Sequence, residues 1–181
     1  PRDRAVVLLD YPARLSALVD ARVGARHVQT ALAGLAAGRP GSEIVVRPHP
    51  SDPGAAVYAA LGARVPGVRV TVDTTTPIEP LLGAAGLCVG AMSTATLQAA
   101  ALGVPTVLLD VAGIPRPWPF DGAADAPPRV TDADGLAAAA DAAHRRDDVA
   151  GAGAAREALG ARSAAIDDVV ALIAQLSADA G

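Results

Sequence analysis

The chain has 181 residues and a formal net charge of −4, with aromatic residues at only 2%. That length suits one domain with its own core, and the charge and aromatic content argue against a dedicated nucleic-acid binder, which would carry a basic stripe with stacking rings. A single cysteine excludes an intrachain disulfide framework. No apolar run nears the roughly 20 residues that cross a bilayer, and the first is too early and too brief for a signal peptide, so a soluble cytoplasmic protein is expected.

Lysine and asparagine are absent and alanine dominates, a pattern of GC-rich codon usage that weakens alanine as a helix signal. In chain order, Arg4 to Asp10 carries the apolar run Ala5-Val6-Val7-Leu8-Leu9, typical of a strand covered on both faces. Arg26 to Ala37 spaces Val28, Ala31, Leu32 and Leu35 as a helix, stopped by Gly38-Arg39-Pro40-Gly41. A second strand is predicted at Glu43 to Arg47, a short helix at Gly54 to Ala63, a third strand at Val68 to Val72 and a helix at Ile78 to Ala85. Leu87 to Gly90 reads as the fourth strand, with Cys88 as a small buried hydrophobe. Ser93 to Leu102 reads as a helix ended by Gly103-Val104-Pro105, and Thr106 to Asp110 as the fifth strand.

Ala112 to Arg129, rich in proline and glycine and holding Trp118 and Phe120, is expected to be an irregular loop. Asp132 or Asp134 is set to cap a helix at Gly135 to Arg145, and Ala154 to Ala178 supplies closing helices. The alternation predicts an α/β fold, a Rossmann-like parallel sheet of about five to six strands with helices on both faces. Residues 1–181 form one such domain, with closing C-terminal helices at about 135–178. The opening Pro1, set just before a strand, is the expectation for a domain cut from a longer two-domain protein.

In an open α/β sheet, ligands gather outside the carboxyl ends of the strands. After the second strand comes Arg47-Pro48-His49-Pro50, a histidine between two prolines that stiffen its backbone. His49 can donate to a phosphate or carboxylate, or can be a packed turn histidine. Arg47 is either a phosphate ligand or the solvated end of a strand. After the fourth strand, Ser93, Thr94 and Thr96 crowd a helix start, where hydroxyls and backbone amides can hold phosphate oxygens, or where a serine or threonine simply caps the helix. Asp132-Ala133-Asp134 has the spacing of a metal-binding pair, but its place before a helix favours capping. No dinucleotide fingerprint, P-loop or metal-ligand cluster is present.

Three motifs in order, Arg47-Pro48-His49-Pro50, Glu79-Pro80-Leu81-Leu82 and Ser93-Thr94-Ala95-Thr96-Leu97-Gln98 running on to Gly103-Val104-Pro105, resemble the C-terminal half of GT-B glycosyltransferases. The resemblance is to the bacterial capsule, sialyl, polysialyl and glycerophosphate transferases with His-Pro and Ser/Thr motifs, and covers roughly Ala5 to Asp110. It implies that this domain grips a nucleotide-activated donor, with His49 as the catalytic contact to the donor phosphate and Ser93 and Thr94 assisting. Arg47 joins this set, and Thr96, Glu79 and Tyr11, in the loop after the first strand, are further donor-binding candidates. The donor would be a nucleotide sugar or a CDP-glycerol-like molecule, and neither a cofactor nor a metal is expected.

The resemblance further implies a missing N-terminal acceptor domain, without which the chain binds donor but does not turn over. It also implies contact with a membrane only through other parts of the parent protein. Two rivals stand. The UDP-N-acetylglucosamine 2-epimerase group shares the architecture, although it carries a Ser-Gly-Gly type turn where this chain has Ser93-Thr94-Ala95-Thr96. A non-catalytic nucleotide- or partner-binding module, anchored through Trp118 and Phe120, is the other.

Overall fold

The computed structural model describes residues 3–9, 23–91, 93–111, 126–145 and 160. Tyr11, Trp118, Phe120 and the helices expected within 154–178 lie outside the described residues. The elements run β1 (Arg4–Leu8), α1 (Val23–Gly38), β2 (Glu43–Arg47), α2 (Ala55–Gly62), β3 (Arg69–Val72) and α3 (Ile78–Gly83). They continue as β4 (Leu87–Gly90), α4 (Thr94–Ala101), β5 (Thr106–Leu109), β6 (Arg129–Val130) and α5 (Ala133–Arg145).

The strands form one six-stranded sheet in the order β3-β2-β1-β4-β5-β6, with every pairing parallel. Successive side chains of a strand point to opposite faces, so the unbroken apolar run of β1 feeds two cores. Ala5, Val7 and Leu9 face one layer with Ile44 and Val46 of β2, Leu87 and Val89 of β4, and Val28, Leu32 and Leu35 of α1; Tyr58 of α2 and Leu136 of α5 join them. Val6 and Leu8 face the other with Val45, Cys88, Leu81 and Leu82 of α3 and Ala99 of α4. The sheet is therefore covered by helices on both faces, as the Rossmann-like reading requires.

Small residues set the helix spacing on the first face. A Cβ at Gly34 would lie 2.8 Å from the Ala133 carbonyl oxygen, so α1 and α5 meet nearly backbone to backbone. The sequence reading runs as irregular loop up to Arg129, whereas Arg129 and Val130 pair with Leu108 and Leu109 as β6. Two residues behind Pro127-Pro128 are too few to show an apolar run, and the pairing is long-range. The last described helix starts two residues before the predicted Gly135, because Asp132 caps it: its Oδ1 accepts from the Gly135 amide at 2.8 Å.

Candidate functional site at the carboxyl edge of the sheet

Because all strands run parallel, every strand ends on one edge of the sheet, and the following loops share that edge. The chain steps from β1 outward to β2 and β3 through α1 and α2 on one face, then returns to β4 and β5 through α3 and α4 on the other. The reversal sets the topological switch point between the ends of β1 and β4, the place where open α/β sheets bind ligands. His49 follows β2 on one side of β1, and Ser93 to Thr96 follow β4 on the other.

The loop that carries His49 is held by its own short-range bonds. The Asp52 amide donates to the His49 carbonyl at 2.8 Å, closing a turn over Pro50 and Ser51. The Ser51 amide donates to His49 Nδ1 at 3.1 Å, so Nδ1 carries no proton and the neutral ring bears its proton on Nε2. The Asp52 carboxylate takes two further donors, the Gly54 amide at Oδ1 (2.8 Å) and the Tyr58 hydroxyl at Oδ2 (2.7 Å). Tyr58 is buried on α2, and its phenol is pushed up from its ordinary value by that burial first, then by the hydrogen bond and charge of Asp52.

Arg47, the last residue of β2, turns sideways along the edge. Its guanidinium donates to the Asp73 carbonyl at 3.0 Å and pairs with Asp73 Oδ1 at 3.4 Å. Asp73 also accepts from the Thr75 and Thr76 amides, each at 2.9 Å, so the turn after β3 is an Asx-type turn tied to β2. The Thr76 hydroxyl and amide, with the Thr75 amide and the Arg47 charge, hold the Asp73 carboxyl below the usual carboxylate range against the opposing effect of burial. Arg47 is thus a tie between two strand ends in this structure, with a positive charge close to the edge.

At the start of α4, proton counting settles how the hydroxyls are used. Thr96 Oγ1 donates to the Ala91 carbonyl at 2.7 Å. Its 3.0 Å contact with Ser93 Oγ must then be donated by the serine, which also caps the helix by accepting from the Thr96 amide at 3.3 Å. Thr96 is fully buried beneath the turn. Thr94, the first helical residue, is the exposed member of the group. The first turn of α4 offers its amide dipoles to the edge beside it.

The remaining candidates are dispersed. Glu79 is exposed in the first turn of α3. Cys88 is fully buried in β4, and burial pushes its thiol up, which suits packing and not nucleophilic chemistry. Among the described residues no group of three or more His, Cys, Asp and Glu side chains is arranged to hold a metal ion, and no helix is long and apolar enough to cross a membrane.

Three contacts that shape this edge escape a reading of the sequence alone. Asp52 in Asp52-Pro53-Gly54 carried a turn signal, but its partner Tyr58 lies within an alanine-rich helix and gave none. Asp73 before three threonines is a legible Asx turn, although its pairing with Arg47 across two strands is not. Arg26, in the first turn of α1, donates to the Val111 carbonyl after β5 at 2.9 Å and adds a second positive charge to the carboxyl edge. Comparison with known proteins returns no matching family model and no matching curated protein.

Proposed function

We propose that this domain binds a nucleotide-activated donor across the switch point between β1 and β4, as the donor half of a GT-B glycosyltransferase in bacterial cell-surface polysaccharide synthesis. The observation that supports it is the strand order: with β1 between β2 and β4, the His49 loop and the start of α4 follow the two strands that flank β1. Strands two positions apart are separated by roughly 10 Å, a span that a nucleoside diphosphate can bridge.

In this reading the Nε2–H of His49 donates to a phosphate oxygen of the donor. Thr94 and the first turn of α4 receive another, and Arg47 and Arg26 supply background positive charge. The leaving nucleotide gains negative charge as the glycosidic bond breaks, and preorganised donors stabilise it without reorganising. That arrangement calls for no metal. Nucleotide-activated donors are made in the cytoplasm, which sets the expected location, and the acceptor would be held by a second domain.

Calorimetric titration with CMP, CDP, UDP and GDP, with and without magnesium, tests the reading. One nucleotide should bind in the absence of metal, and His49→Ala should weaken it by about tenfold, the scale of one charge-assisted hydrogen bond. An unchanged affinity in that variant removes His49 from the site, and absence of binding to all four nucleotides rejects the donor-site assignment.

A further inference from the structure

We infer that Tyr58 and Asp52 form a brace that positions His49 and seats its loop against the first turn of α1. The proposal rests on the donor-site reading for its consequence in binding, but its geometry stands apart from it.

The brace is continuous. Asp52 closes the turn on the His49 carbonyl through its amide and, through its two carboxylate oxygens, holds the Gly54 amide and the Tyr58 hydroxyl. The Tyr58 ring is only 5% exposed and belongs to the core beneath α1, so its hydroxyl is a fixed post and not a swinging side chain. That hydroxyl reaches the first turn of α1 because residue 24 is glycine: a Cβ there would lie 2.7 Å from the Tyr58 oxygen. A Cβ on Gly54 would meet the same oxygen at 2.7 Å. Two glycines on separate elements thus leave room for one phenol hydroxyl between them.

The consequence falls on the imidazole. The Ser51 amide reaches Nδ1 only while residues 49 to 52 keep their turn, and the turn is held from outside by the Asp52 carboxylate on Tyr58. Removing the hydroxyl leaves that carboxylate oxygen without its buried donor and frees the turn to open. The Ser51 amide then no longer selects one tautomer, and Nε2 loses its standing as the ring's donor. Tyr58 touches no ligand in this scheme and acts only through His49.

The test is nitrogen NMR of the chain labelled at histidine, with the His49 signals assigned by their loss in His49→Gln, alongside nucleotide titration. The wild-type ring should show one tautomer, with Nδ1 unprotonated. Tyr58→Phe keeps the buried ring and removes one oxygen; it should average the His49 nitrogen signals and weaken nucleotide binding by about fivefold, the scale of one net hydrogen bond. Gly24→Ala, which displaces the hydroxyl without touching Asp52, should have the same spectral effect and guards against poor folding of the first variant. A substitution that merely loosens the core would lower the melting temperature without shifting the tautomer. Wild-type His49 signals in both variants would overturn the brace, as would unchanged affinity in Tyr58→Phe. If the wild-type chain binds no nucleotide, the donor-site reading fails separately and the His49 spectrum still decides the brace.

Discussion

Gly90, the last residue of β4, lies directly against the Thr96 side chain: a Cβ built on Gly90 would overlap Thr96 Oγ1 and come within 3.2 Å of Cγ2. The strand end and the α4 start are therefore packed as one unit, with the Thr96 hydroxyl pinned to the Ala91 carbonyl between them.

Gly90→Ala should destabilise the chain by about 1–3 kcal/mol, the usual cost of forcing extra atoms into a packed site. Thr96→Ala on its own should also destabilise, because it strips the Ala91 carbonyl and the Ser93 hydroxyl of their partner. Combined, the two should cost clearly less than their sum, since the second change vacates the space that the first one fills. Thermal or urea denaturation of the four proteins measures this, and simple additivity would show that the contact does not limit residue 90.

The Arg47–Asp73 tie predicts an acid dependence whose sign follows from the carboxyl. The folded-state value of Asp73 is lowered by the Thr76 hydroxyl and amide, the Thr75 amide and Arg47. Its contribution is then complete above the ordinary unfolded carboxylate value and is lost as the pH falls through the lower folded one. Asp73→Asn should be less stable than the wild type at neutral pH, and the gap should close on acidification. Urea midpoints followed from neutral into acid would show it, and a gap that widens instead would contradict the assignment.

Cys88 offers a separate check on the sheet's second face. It is fully buried beside Val6 under the α3–α4 layer, with its thiol pushed up by burial alone. Native chain should resist iodoacetamide, with alkylation appearing only on unfolding, as followed by mass spectrometry. Rapid labelling of the native chain would contradict the close packing of that layer.

The framework of this fold was readable because its strands are short apolar runs punctuated by glycine and proline. β4 falls at Leu87 to Gly90 as read, and Ser93 takes the cap position its residue type favours. What escaped is long-range or ambiguous by residue type. Two residues such as Arg129 and Val130 carry no period, so β6 becomes visible only through its partner β5. Arg47 fits either a ligand or a strand end, and the partner that occupies it, Asp73, is 26 residues away. Thr94 and Thr96 are the same residue two positions apart, yet one is exposed and the other fully buried; only the direction of the helix against β4 separates them.

Tyr58 makes a final prediction at the opposite end of the pH scale. Its folded-state value is raised, by burial first and then by the hydrogen bond and charge of Asp52. A raised value means that its stabilising contribution is complete below the ordinary phenol range of about 10 and is lost as the pH rises through the folded value. Phenolate absorbance should therefore show a Tyr58 component that ionises only above the ordinary range and together with unfolding. Tyr58→Phe should remove that component and leave the remaining tyrosine unchanged. A late component that survives undiminished in the variant would mean that Tyr58 is not the group that resists ionisation, and the buried phenol would lose its standing as the fixed post beneath the His49 loop.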